Sequence, residues 1–88
     1  MWDKYKGECI GRRNTRVRRE NKKGIDGVDS AEECAKAAIR DPEAKGALYR
    51  ARYNYCDKIF EVVREGDNGS GYECFRFRVR RILDFFFI

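Results

Sequence analysis

Only one stretch of the chain repeats its apolar residues at helical spacing. Cys34, Ala35, Ala38 and Ile39 fall on one face of a helix expected to run from about Ala31 to Arg40. Ser30-Ala31-Glu32-Glu33 opens it as a capping box, in which the serine oxygen accepts from the amide three residues on. Asp41-Pro42 closes it, because proline lacks a donor and biases its predecessor away from helix. Elsewhere the period is two. In "ALYRARYNYC", Tyr49, Ala51, Tyr53 and Tyr55 share one parity, and Arg50, Arg52 and Asn54 share the other, as in a single strand. "KIFEVV" at 58–63 reads as a second strand. "EGDNGSG" at 65–71 reads as a turn, with Asn68-Gly69 at the centre of a tight hairpin. "YECFRFRV" at 72–79 alternates again, with Phe75, Phe77 and Val79 against Arg76, Arg78 and Arg80. Cys74 falls on the arginine parity, which calls for a bulge or a strand end near it. Residues 1–10 mix aromatics with charge and suit an edge strand, while "ILDFFFI" at 82–88 suits a core strand. The pattern gives an α+β fold, one helix on a mostly antiparallel sheet.

Composition changes the picture in two ways. Charged residues make up 40% of the 88 residues, a level that alone would point to disorder, but six Phe, five Tyr and one Trp supply an aromatic core. A chain this short makes one domain, 1–88, and buries a modest share of its surface, so it calls for cross-links or a metal. Cys9, Cys34, Cys56 and Cys74 are separated by 24, 21 and 17 residues, with no CxxC pair and no histidine. That spacing argues against zinc and against a redox CxxC centre. An even number of widely spaced cysteines fits two disulfides in an oxidising compartment, the alternative being four buried thiols in a cytosolic protein. The start, "MWDKYKGECIG", has no apolar signal region, so a secreted protein is expected here in a mature or recombinant form, with Met1 as an added start in the latter. "FFFI" at 85–88 is too short to span a bilayer.

Three further segments carry a family resemblance. "GVDSAEECAKAA", "DPEAKGALY" and "YNYCDKIF" together resemble the PAN/apple domain, over about residues 9 to 75. That family reads as a turn, a Ser-x-Glu-Cys helix start, a Pro-containing loop, a Gly-aromatic strand and a later Cys. The resemblance implies that the helix cysteine Cys34 pairs with Cys56, and that Cys9 pairs with Cys74. Ala38 and Ala44 stand where many members carry a further bridge, so both halves of it are missing together, and Ala47 stands in place of an aromatic. The resemblance also implies a curved antiparallel sheet cradling the helix, and extracellular recognition of proteins or carbohydrates without catalysis.

Charge is concentrated in "CIGRRNTRVRRENKKG", which holds Arg12, Arg13, Arg16, Arg18, Arg19, Lys22 and Lys23 with one acid, Glu20. The whole chain is formally +5. Like charge at this density repels itself, so the stretch is either a solvated loop or a site that a partner neutralises. Arginine outnumbers lysine in it, and its planar fork suits sulfate, phosphate or carboxylate. Some PAN-type modules bind glycosaminoglycans, which ranks sulfated or acidic glycans, or an acidic protein surface, above nucleic acid. Arg76, Arg78, Arg80 and Arg81, beside Arg50 and Arg52, form a second basic set. On an antiparallel sheet they are polar-out positions, expected to pair with Glu61 or Glu65. "RVRR" at 16–19, repeated at 78–81, resembles a proprotein-convertase site, but a strand there would close the backbone to a protease. Asn68-Gly69-Ser70 is a glycosylation sequon as well as good turn chemistry.

Catalysis has no foothold. Without histidine, Ser/His and Cys/His nucleophile pairs are unavailable, and no carboxylate pair stands out. The expected protein is a secreted, non-catalytic binding module without metal or cofactor. The competing readings are a cationic, membrane-active host-defence or toxin-like protein using "RRILDFFFI", and a nucleic-acid binder.

Overall fold

The structure, a computed structural model, describes residues 1–78. Val79, Arg80, Arg81 and the strand expected at 82–88 lie outside the described residues. The chain forms β1 (Trp2–Lys6), β2 (Cys9–Gly11), β3 (Lys22–Ile25), α1 (Ala31–Ile39), β4 (Gly46–Arg50), β5 (Tyr55–Ile59), β6 (Val63–Gly66) and β7 (Tyr72–Phe77). The order β1-β7-β4-β5-β3 makes an antiparallel five-stranded sheet, and β2 pairs with β6 in a separate two-stranded ribbon. The fold is α+β, with one helix on an antiparallel sheet and two disulfides, Cys9–Cys74 and Cys34–Cys56.

The sheet is covered on both faces. The helix lays Ala31, Cys34, Ala35 and Ala38 against Ala47, Tyr49, Cys56, Phe75 and Phe77 on one side. Trp2 meets the Phe75 ring edge-on at 6.1 Å in the same layer. On the other side Cys9 and Val63 from the ribbon, with Val17, cover Leu48, Ile59 and Cys74. One bridge ties the helix to the sheet, and the other ties the ribbon to the opposite face. This explains why Cys74 sits on the arginine parity. No bulge or strand end intervenes, and β7 pairs without a break with both β1 and β4. Cys74, on its second face, is simply buried under the ribbon.

The helix starts as its sequence indicates, with Ser30 Oγ accepting from the Glu33 amide at 3.2 Å. It stops one residue short of the expected Arg40, and Asp41 Oδ1 then accepts from the Glu43 amide at 2.9 Å in the closing turn.

Two strand assignments and one turn are corrected. The run 47–56 is a hairpin, not one strand: β4 ends at Arg50, a 3-10 turn spans Ala51–Tyr53, and Asn54 takes a left-handed φ of 49°. Asparagine tolerates that conformation, and Tyr49 Oη donates to Asn54 Oδ1 at 2.6 Å to hold it. The run 58–63 breaks at 60–62, because the chain leaves the sheet after Ile59 and enters the ribbon at Val63. Finally, Asn68 does adopt a left-handed φ of 67°, but the turn around it is no tight hairpin. The strands it joins, β6 and β7, belong to different sheets. Asp67 Oδ1 organises the turn, accepting from the Gly69 amide at 2.8 Å and the Glu8 amide at 2.9 Å. Of the edge strand expected over residues 1–10, β1 (Trp2–Lys6) is one, but the chain breaks at 7–8 and Cys9 and Ile10 belong to β2 in the ribbon.

Candidate anion-binding surface

The basic stretch leaves β2 through a tight turn. The Gly11 amide donates to Thr15 O at 2.8 Å, the Asn14 amide donates to Gly11 O at 3.1 Å, and Asn14 takes a φ of 59°. This turn lifts Arg12 and Arg13 into solvent. Val17 then plugs the ribbon-side core, 5% exposed. Beyond it, the Arg18 amide and Asn21 Nδ2 both donate to Glu61 Oε1, at 3.2 and 3.1 Å. The other Glu61 oxygen lies against Gly11, where a Cβ would sit 2.5 Å away. Glu61 therefore bonds the Arg18–Asn21 end of the loop to the β5–β6 connection and packs against its Gly11 end.

Pinned this way, the loop forms one wall of a concavity of about 450 Å³. Arg12, Arg13, Arg18 and Lys45 line it, over Phe60 and the partly exposed Val62. Lys45 precedes β4, and its amide donates to Ile59 O at 2.7 Å, which carries it to the loop's side of the sheet. Among the described residues, Arg12, Arg13 and Lys45 form no ion pair.

The seven basic residues of the stretch do not make one patch. Arg16 turns away to Glu8 at 3.2 Å and Asp67 at 3.8 Å. Arg18 also approaches the Glu20 carboxylate at 3.8 Å. Arg19 sits exposed in a 3-10 turn, Arg19–Asn21. Lys22 and Lys23 belong to the edge strand β3, away from the concavity. Sequence reasoning missed Lys45 and the anchoring role of Glu61. The run "EVV" gave no sign that Glu61 would leave the sheet, while Lys45 sat beside the already noted Gly46.

The described members of the second basic set, Arg50, Arg52, Arg76 and Arg78, are likewise dispersed. Arg50 reaches the buried Asp57 at 3.6 Å, Arg52 lies over the Tyr53 ring at 5.7 Å, and Arg76 and Arg78 hold Asp3 at 2.8 and 3.4 Å. Neither Glu61 nor Glu65 takes the ion pairs expected of it among the described residues. Arg50 and Arg76 occupy opposite ends of the β4–β7 pairing, so these arginines make no single cationic face.

The surrounding carboxylates are tuned by their partners. The Arg76 hydrogen bond holds the Asp3 carboxyl below its ordinary value. The Gly69 amide, then the Glu8 amide and the Arg16 charge, lower Asp67. Burial pushes Asp57 up, against the opposing pull of Arg50 and Lys22. Among the described residues no group of three or more Asp, Glu or Cys is placed to hold a metal, and no helix is long and apolar enough to cross a membrane. No protein-family model, curated protein or solved structure matches the chain.

Proposed function

We propose that the protein is a secreted, non-catalytic binding module of PAN/apple type, whose basic loop takes an acidic glycan or an acidic protein surface. One observation carries the ligand class: Arg12, Arg13 and Lys45 surround a concavity and form no ion pair among the described residues, the one acid in its lining, Glu61, being engaged by the Arg18 amide and Asn21 Nδ2. Charges left unpaired on a pinned loop keep their field for an external anion. The Phe60 and Val62 side chains below add apolar surface for the body of a ligand.

The two disulfides support an extracellular-type domain. The kinship with PAN/apple modules is supported by the pairing of the four cysteines. The burial of Ala38 and Ala44 in one cluster agrees with it, since these are the positions of the missing bridge.

The test is a set of salt titrations with a heparin oligosaccharide. Each neutralised anion releases condensed counterions, so affinity falls steeply as salt rises. The Arg12→Glu/Arg13→Glu double variant is expected to bind about tenfold or more weakly, with a salt slope reduced by roughly one to two. Arg12→Lys/Arg13→Lys keeps the charge and loses the fork, so it separates bidentate recognition from a diffuse field. Arg52→Glu, at the far tip of the β4–β5 hairpin, should change little. A double charge-reversal variant that binds like the parent at every salt concentration would reduce the stretch to a solvated loop.

A further inference from the structure

We propose that the Arg19–Glu20 peptide bond is a processing site for a serine protease of the proprotein-convertase class, and that the product is a two-chain molecule held by Cys9–Cys74. The proposal is independent of what the concavity binds.

The sequence supplies the recognition pattern, with arginines one, two and four residues before the bond: Arg19, Arg18 and Arg16. An acidic protease cleft reads such a cluster only if the segment can be drawn out in extended form. A strand would prevent that, but the structure has none here. Arg16 makes a single isolated bridge to Ile10, residues 17 and 18 lie in irregular backbone, and Arg19 opens the short 3-10 turn. All three arginines are exposed, with the Arg16 and Arg18 side chains at 69% and 70%.

What holds the segment down is identifiable. The Val17 amide reaches Cys9 O at 3.4 Å, the Asn21 amide reaches Arg18 O at 2.9 Å, and the Phe60 amide donates to Asn21 O at 2.8 Å, just before β3 begins at Lys22. The exposed Arg16 side chain adds ion pairs to Glu8 at 3.2 Å and Asp67 at 3.8 Å, which a cleft must displace. Glu61 adds its two bonds to Arg18 and Asn21. Val17 is the one buried side chain between Arg12 and Asn21. A 3-10 turn has poor hydrogen-bond geometry, and the anchors are mostly exposed side-chain contacts with Val17 as the one buried plug, so the segment opens locally without unfolding the sheet. Glu61 is then the latch that sets how often the bond becomes available, because cleavage follows the population of the open form when opening is fast.

The reaction is hydrolysis. Water adds across the bond, leaving a carboxylate on Arg19 and an ammonium group on Glu20, with no other reactant. The fragment 1–19 keeps Cys9, and the remainder keeps Cys34, Cys56 and Cys74. The Cys9–Cys74 bridge therefore joins the two pieces, and β1 and β2 stay paired with β7 and β6. The new carboxylate, on Arg19, would be one residue from Arg18, which lines the concavity.

The experiment treats the folded, oxidised chain with a purified proprotein convertase, then reads intact mass with and without reduction and sequences the new amino terminus. Unreduced, the mass should rise by one water; reduced, it should split, with a new terminus beginning Glu-Asn-Lys. Arg16→Ala and Arg19→Ala, both at exposed positions, should abolish the cut, while Glu61→Ala, which removes the acceptor of both latch bonds, should speed it severalfold. A folded chain that resists while the reduced, alkylated chain is cut at the same bond overturns the proposal. Resistance of both forms, or a cut only after Arg81, overturns it as well.

Discussion

Asp57 is the one polar or charged side chain that the described fold takes almost wholly out of water, at 3% exposure. It lies 3.6 Å from Arg50, yet its Oδ2 and Arg50 Nε are both buried without a hydrogen-bond partner. Burial raises its pKa above the ordinary 3.8, so its ionised form opposes folding. That cost is absent below the unfolded value, sets in as pH rises through it, and is complete above the folded value. Asp3, Asp41 and Asp67 behave in the opposite sense. Their pKa values are lowered from 3.8, by Arg76 for Asp3 and by backbone amides for Asp41 and Asp67. Their stabilisation is present above the unfolded value and is lost as pH falls through the folded one. Carboxyl NMR titration of the folded protein should place the Asp57 midpoint above 3.8 and the other three below it. An Asp57 midpoint below that of Asp3 would contradict the burial described here.

At the scale of elements, the helix was the most legible part of the sequence. It buries one face and wets the other, so its period is clean, and its cap is local chemistry. Ser30→Ala should lower stability by about 1 kcal/mol through loss of the Glu33 amide bond, read as a shifted denaturation midpoint. The strands were less legible for two physical reasons. β4 and β7 lie inside the sheet and between two layers, so Leu48 and Cys74 are buried opposite Tyr49 and Phe75, and alternation loses its meaning. The break at 51–54 was hidden because Arg50 pairs with Tyr55 across it, and the parity of the tyrosines carries on around the turn. Only the left-handed Asn54 marked it. The site was legible as a charge density but not as a shape. Which arginines keep their charge free depends on Glu8, Asp67 and Glu61, residues that arrive from elsewhere in the chain.

For the whole molecule, the two bridges constrain loops of different size, with sequence separations of 65 for Cys9–Cys74 and 22 for Cys34–Cys56. In the chain-entropy model these contribute about 4 and about 3 kcal/mol respectively. Replacing Cys9 and Cys74 together by Ala should therefore lower the denaturation midpoint more than replacing Cys34 and Cys56. The reverse order would show that anchoring the helix matters more than closing the longer loop.

The position of β7 has a consequence for how the chain assembles. It is the last of the seven strands among the described residues, yet it lies between β1, the first, and β4. During synthesis β3, α1, β4 and β5 emerge as a contiguous block with near-neighbour pairings, and this block already contains both partners of Cys34–Cys56. β1 has no neighbour in its sheet until β7 arrives some seventy residues later, and Cys9 waits as long for Cys74. A thiol exposed for that interval can meet Cys34 or Cys56 first. Closing a long loop is also the slow step in chains rich in distant contacts. Oxidative folding should thus proceed in two stages, an early inner bridge and a late outer one, with β7 entering as the strand that joins two waiting halves.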